Sequence, residues 1–407
     1  MRTVLLLLAA TAVAQTGPRV QISHTTESLR GVSAVSRQIA WASGTHGTYL
    51  RTTDAGVTWS PAQVPDATAL DFRAVVAFSA TEAYLMSAGP GDQSRIYHTS
   101  DAGQHWQLQF TNTNPKGFFD SMVFWDEKHG VVLGDPIPDE AGKLKFELLM
   151  TDDGESWHPL PPSQLPPAQE GEGAFAASNT CLAILSNREW KGAAPAAREP
   201  TESWKSGASA PRQPSEEKGA SAPEGQLWFA TGGKTARVFH SPDRGQSWQV
   251  FDTPILHGPD SAGIFSIAFR DPLHGVIAGG DYKHPNDDGP NLAFTNDGGK
   301  TWTLPDLHPL AYFSAVAYDR KVNAAALTQQ RKDDASPTND KKPRVKPIAP
   351  ERLFLVGDNF IFDLRPPNNP RRINGNKKQA MKFNAASAFP EGGALIVGPK
   401  GSIAFIP

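Results

Sequence analysis

Arg30, Arg73 and Asp120 stand at the same point of three successive apolar stretches, Arg30 to Val35, Arg73 to Phe78 and Asp120 to Trp125. Glu172 just precedes a fourth, Gly173 to Ser178. Guanidinium groups gathered with carboxylates can clamp an anion bidentately or hold a polar ligand, a peptide or a glycan. A second set of carboxylates follows glycine, in Gly134-Asp135, Gly280-Asp281 and Gly357-Asp358. Gly-Asp commonly does no more than make a turn, but at equivalent points of a repeated unit it would aim its carboxylates at the same place. Arg30, Arg73, Asp120, Asp135, Glu172, Asp281 and Asp358 are therefore the candidate binding residues of one mixed-charge mouth.

Other polar groups point to less. Asp126-x-x-His129 and Asp271-x-x-His274 pair a carboxylate with an imidazole, both good metal ligands, but each pair offers only two groups, and turn capping is the commoner use. His284-Pro-Asn-Asp287-Asp288 is a polar loop of the same kind. The single Cys181 lies in an apolar run and reads as a small buried hydrophobe. No nucleotide-binding glycine pattern, haem motif or redox cysteine pair is present, so no cofactor, metal or catalytic residue is assigned.

The elements that must position the candidates are repeated. Asp54/Gly56/Trp59 recurs as Asp101/Gly103/Trp106, Asp152/Gly154/Trp157, Asp243/Gly245/Trp248 and Asp297/Gly299/Trp302. Thr52, Thr99, Ser241 and Thr295 open four copies, while Met150 stands there in the third. Each carboxylate can accept from N–H groups of its own turn, the glycine supplies a backbone conformation that a Cβ disfavours, and the indole covers the hairpin and keeps its N–H for a partner. These residues read as structural.

The tryptophans lie 47, 51, 91 and 54 residues apart. The long interval contains a Pro/Ala/Ser/Glu/Lys-rich segment, about 187–225, in which Gly207-Ala-Ser-Ala-Pro211 returns as Gly219-Ala-Ser-Ala-Pro223. Such a composition buries no core and is expected to be a disordered insertion, as is a second segment at about 329–350. Both are placed between the first and second strands of their units, on the face carrying the Asp/Gly/Trp turns.

Within each unit apolar residues alternate with period two and are cut by turns, as in Gly31-Val-Ser-Ala-Val35, Ile39-Ala-Trp-Ala-Ser43 and Thr48-Tyr-Leu-Arg-Thr52. Four short antiparallel strands in roughly 45 to 50 residues make a propeller blade. Further inner strands at Phe265 to Phe269, Phe313 to Tyr318 and Asn384 to Phe389 bring the count to seven. The last unit ends at Gly401-Ser-Ile-Ala-Phe-Ile-Pro407 with three strands, so Arg19-Val-Gln-Ile-Ser23 is expected to supply the fourth. The fold class is all-β, a single seven-bladed propeller over residues 15–407. Ligands of such folds gather at the channel mouth, made by loops entering the inner strands and loops joining second to third strands.

Composition agrees with many turns and no large field: 36 Gly, 35 Pro and a net charge of −3 in 407 residues give no reason to expect nucleic acid as a partner. The one compact basic run, Arg371 to Lys378, is either a solvated loop or a contact for an anionic surface. Residues 1–14 have the form of a cleavable secretory signal ending at Ala12-x-Ala14, and no later stretch reaches the roughly 20 apolar residues of a membrane span. A secreted or periplasmic monomer is expected.

The repeated turn is the Asp-box, or bacterial neuraminidase repeat. The wording Leu29-Arg-Gly-Val-Ser-Ala-Val35, Ala40-Trp-Ala-Ser-Gly44 and Thr48-Tyr-Leu-Arg-Thr-Thr-Asp54, with Gly117-Phe-Phe-Asp120, Gly171-Glu-Gly-Ala-Phe-Ala-Ala177 and Ser261-Ala-Gly-Ile-Phe-Ser266, resembles the photosystem II stability/assembly factor-like propellers. That resemblance implies a non-catalytic scaffold for a protein or peptide partner. Sialidases share the Asp-box and the propeller, which keeps a glycoside hydrolase or glycan-binding propeller as the alternative. Their Arg-Ile-Pro opening is absent, and Arg19-Val-Gln21 does not match it.

Overall fold

The computed structural model describes residues 17–185, 225–319, 352–358, 361–365, 369–372 and 382–407. The expected leader, the second insertion and all of the first except Gly225 lie outside these residues, as do 373–378 of the basic run.

Seven antiparallel sheets form a closed ring of blades. The inner strands are Leu29–Ala34, Phe72–Ala77, Phe119–Phe124, Leu182–Ile184, Ala262–Phe269, Ala315–Tyr318 and Ala385–Ala388. Closure is as expected: Arg19–Gln21 pairs antiparallel with the C-terminal strand Ser402–Ile406, Val20 opposite Ala404. Both faces of a blade are covered by its neighbours, which is why second strands such as Leu227–Ala230 and Gly275–Asp281 are buried at every position. The seven core clusters accordingly lie in the seams between blades and not within them. Serines of inner strands also bond across seams: Ser387 Oγ accepts from Ala34 N at 3.1 Å, Ser33 Oγ from Ala77 N at 3.0 Å and Ser266 Oγ from Val316 N at 2.9 Å.

The Asp-box turns work across the same seams. In the first, Thr52 Oγ1 donates to Asp54 Oδ1, which also accepts from Thr58 N, while Gly56 N donates to Thr52 Oγ1. Gly56 holds φ at 77°, a region a Cβ disfavours. Trp59 Nε1 then donates to Gln21 of the closing strand, and Trp157 Nε1 donates to Gln109 of blade two, both at 3.0 Å. Trp248 and Trp302 instead bond the carbonyls of Gly245 and Gly299 in their own turns. Tyr49 and Tyr84 donate their hydroxyls to Gly103 and Gly154 of the following blades.

Trp106 corrects the expectation that every indole finds a partner for its N–H. Its Nε1 is buried with no acceptor among the described residues. It takes neither route used by the other copies. The Gly103 carbonyl of its own turn accepts from Tyr49 at 2.8 Å, and Ala62, which lies as far beyond Trp59 as Gln109 lies beyond Trp106, has no side-chain oxygen to offer. The ring is held by packing alone, edge-on to Tyr49 at 5.1 Å and to Trp41 at 6.4 Å, so its role remains structural.

The third copy requires another correction. Its carboxylate is Asp153, not Asp152, and its opening residue is Thr151: Thr151 Oγ1 donates to Asp153 Oδ1, which accepts from Glu155 N and Ser156 N. The turn is one residue shorter there, so spacing counted back from Trp157 lands on the wrong aspartate. Asp152 is exposed, with His158 Nε2 at 3.8 Å.

A further correction concerns blade four. Gly173 to Ser178 is not its inner strand; Leu182–Ile184 is, paired with Leu227–Ala230. Only Glu172–Gly173 is extended, against Gly232–Gly233. The residues beyond Gly173 leave the sheet and bond inward to four other blades. Arg73 Nη1 of blade two donates to Ala176 O at 3.1 Å, Asp135 of blade three accepts from Ala174 N at 3.0 Å, Phe175 stacks on Phe265 of blade five at 3.9 Å, and Ser178 Oγ donates to Ser314 O of blade six at 2.7 Å. This segment is a plug across the central channel. Asn179 replaces the missing ladder: its Oδ1 accepts from Met122 N at 2.6 Å and its Nδ2 donates to Met122 O at 3.0 Å.

Candidate functional site

The plug turns the channel mouth into a pocket of about 470 Å³. Four of the inner strands carry an irregularity at their entry. The register shifts between Leu29 and Gly31, Phe72 and Ala74, Phe119 and Ser121, and Ile264 and Ser266. A β-bulge leaves one residue unpaired and re-aims its side chain. The four unpaired residues are Arg30, Arg73, Asp120 and Phe265, and all four line the pocket. A fifth shift, between Gly134 and Pro136, does the same for Asp135.

Five of the seven sequence candidates are thus brought together: Arg30, Arg73, Asp120, Asp135 and Asp358. The other two are not in the lining. Glu172 is buried in blade four, where Arg237 Nε donates to its Oε1 at 2.9 Å, and Thr231 Oγ1 and Gln169 N also donate to it. It anchors the base of the plug. Asp281 caps its own turn, accepting from Lys283 N and pairing with His284 Nδ1 at 2.8 Å. Asp135 has no such turn to cap, because the next residue, Pro136, continues the strand and has no N–H to give; its carboxylate reaches across to Ala174 instead.

The charges are unequally satisfied. Arg73 Nε donates to Asp71 at 2.9 Å, and Lys382 lies 2.7 Å from Asp358. Asp120 accepts from Ala176 N–H, but burial, and then the nearby Asp135, push its carboxyl well above the usual range. Burial also raises Asp135, partly offset by the Ala174 N–H. Arg30 Nε is buried with no acceptor among the described residues, and burial followed by the repulsion of Arg73 lowers its pKa.

Reading charges alone missed the aromatic half of the site. Tyr312 packs edge-on to Phe265 at 4.8 Å, Tyr282 lies 6.1 Å from the same ring and is 48% exposed, and Phe118 sits beneath Arg73 at 6.0 Å. No glutamate lines the pocket among the described residues. The Asp-His pairs face the other side as turn caps: Asp126 Oδ1 accepts from Lys128 N and His129 N, and Asp271 Oδ1 from Leu273 N and His274 N. A shallower groove of about 650 Å³ runs along Val20 to Thr26 and Lys400 to Ser402, away from these charges.

No protein-family model and no curated protein matches the chain. Solved structures do. A structure described as YCF48 bound to D1 peptide superposes with a TM-score of 0.58 at 15% identity, covering 97% of this chain and 98% of that one. A catalytically inactive virginiamycin B lyase from Staphylococcus aureus, solved with quinupristin, gives 0.56 at 11% identity over 95% and 98%. The chain is a seven-bladed β-propeller similar in structure to both. One neighbour carries a peptide and the other is a lyase, so the shared fold does not choose between binding and catalysis.

Proposed function

We propose that the protein is an exported, non-catalytic scaffold that binds a protein or peptide partner in the channel-mouth pocket. The observation that carries this reading is Arg30, a half-buried side chain whose buried Nε has no acceptor among the described residues, set in a pocket with one charged and one aromatic wall. A peptide supplies both complements at once, an anionic or carbonyl oxygen for the arginine and an apolar side chain for the rings. The peptide carried by the similar YCF48 structure lends support to this ligand class. Asp120 and Asp135 accept from the plug backbone at Ala176 and Ala174, a positioning use of carboxylates that favours binding over acid–base chemistry. Export rests on the leader pattern of residues 1–14.

The test is selection from a displayed random-peptide pool by wild type and Arg30→Gln. Loss of a charge-assisted hydrogen bond of about 1.5–3 kcal/mol should weaken the selected peptides by about 10- to 100-fold. Equal retention by both proteins would remove Arg30, and with it this reading.

A further inference from the structure

The second and third strands of blade three, Gly130–Pro138 and Leu144–Thr151, run on beyond the point where Gly134 pairs with Phe119, the first residue of the inner strand. They form an arm on the mouth face, and Asp135 at its foot lines the pocket. The register along the arm is Pro136 opposite Phe146, Ile137 opposite Lys145 and Pro138 opposite Leu144. Bonded and non-bonded pairs alternate along an antiparallel ladder, and Asp139 N donates to Lys143 O at 2.8 Å. Counted back from that bond, Ile137 and Lys145 are the bonded pair. Pro136 and Pro138 therefore turn their backbone groups the other way, toward the side of the inner strand and the channel.

The two edges of the arm differ. On the far edge Ala168 N donates to Leu144 O at 2.9 Å, and Lys145 Nζ donates to Leu165 O. On the channel edge Asp135 N donates to Phe118 O at 2.9 Å, and beyond it no hydrogen bond reaches the Pro136 or Pro138 carbonyl among the described residues. Pro136 is half-buried and Pro138 exposed.

This edge offers acceptors and no donor, because both residues that face the channel lack an N–H. Proline on an edge blocks edge-to-edge pairing, and two copies of the arm would meet acceptor to acceptor, which excludes a second copy as the occupant. The carbonyls remain open to a donor. Two residues apart on a strand, they lie about 7 Å from each other, too far for one ammonium to bond both and equal to the spacing of alternate N–H groups in a second extended chain.

We propose that the bound peptide lies extended along this edge, donating two alternate backbone N–H groups to the carbonyls of Pro136 and Pro138 beside the pocket. The inference rests on the peptide reading above and assigns the element that holds the peptide's main chain. Main-chain bonds of this kind read no sequence, and they fix the register in which side chains meet the pocket.

The probe is a peptide selected on wild type and remade with one backbone amide at a time replaced by an ester, which removes an N–H with little change of shape. Each version is titrated into the full chain by calorimetry. Two ester positions separated by one tolerant position should each weaken binding by about 2- to 10-fold. Pro138→Ala gives the edge an N–H for a peptide carbonyl, so the unmodified peptide should bind about 2- to 10-fold more tightly to that variant. A flat ester profile from a peptide that still binds overturns the pairing and leaves the peptide reading standing. Loss confined to replacement of one peptide Arg or Lys by norleucine overturns it in favour of a cation on the same carbonyls. Affinity that is unchanged or lower in a folded Pro138→Ala protein also counts against it, and the ester scan on wild type needs no variant. Failure to select any peptide removes the underlying reading as well.

Discussion

Asn179 carries the plug's strongest testable consequence. Its side-chain amide takes both ladder bonds of Met122, at 2.6 and 3.0 Å, and its Oδ1 also accepts from Ser121 Oγ at 3.1 Å. Met122 is fully buried, so no water replaces these partners when the amide is removed. Asn179→Ala leaves the Met122 N–H and C=O unpaired, at about 1 to 3 kcal/mol each, and forces alanine into φ of 61°, at about 1 kcal/mol more. Partial relaxation lowers the total, and a loss of about 4 kcal/mol in urea unfolding at unchanged m is expected. Asn179→Asp is the control. It tolerates the same backbone and still accepts from Met122 N, but its ionised oxygen opposes the Met122 carbonyl. Its folded pKa is therefore raised, and stability lost at neutral pH should return as the pH falls and the carboxyl regains a proton to donate. A loss under about 1 kcal/mol for Asn179→Ala would mean that the plug is not held as described.

Three further outcomes follow from the seams and turns. Gln21→Ala removes the acceptor of Trp59 Nε1 and the donor to Ala55 O; it should cost about 1 to 2 kcal/mol and accelerate amide exchange in Arg19–Gln21 before the rest of the ring. Asp153→Ala should cost about 1 to 2 kcal/mol and Asp152→Ala under about 0.5 kcal/mol, measured as chemical stability, because only the former carries the turn. His240 stacks on Trp228 at 4.8 Å and burial depresses its pKa to about 4; His98 is lowered in the same way. The unfolded imidazole takes up a proton first as pH falls from about 6.5 toward about 4, so stability should drop across that window, by up to about 3 kcal/mol for His240. His240→Gln should flatten that part of the pH profile.

The ring was legible because its chemistry repeats. An Asp-box fixes a turn locally, and five of them at blade spacing leave little freedom for the rest. The bonding of each indole was not legible, because the acceptor for Trp157 is Gln109 of the preceding blade, 48 residues away, and nothing beside Trp106 or Trp157 in sequence shows which of them has such a glutamine. The bulged positions were legible, as an apolar residue, a variable one and a small one: Leu29-Arg30-Gly31, Phe72-Arg73-Ala74 and Phe119-Asp120-Ser121. Ile264-Phe265-Ser266 has the same form, and that equivalence is the signal that could have placed Phe265 in the site. Aromatic residues in a blade otherwise read as core, which hid Tyr282 and Tyr312. The plug was hidden for a different reason. Gly173-Ala-Phe-Ala-Ala-Ser178 alternates like a strand, and its contacts, from Arg73 to Ser314, are all far away in sequence. Glu172 was drawn into the candidate set because its partner, Arg237, is 65 residues away.

The most direct measurement places a photo-reactive phenylalanine analogue at Tyr282, on the mouth, and separately at Leu273, in the hairpin between the first and second strands of the same blade on the opposite face. Both positions are exposed, at 48% and 53%. Irradiation with the selected peptides, followed by mass spectrometry of the adducts, reads which face they occupy. Adducts at position 282 alone are the predicted result; adducts at 273, or equally at both, would contradict a partner held at the channel mouth.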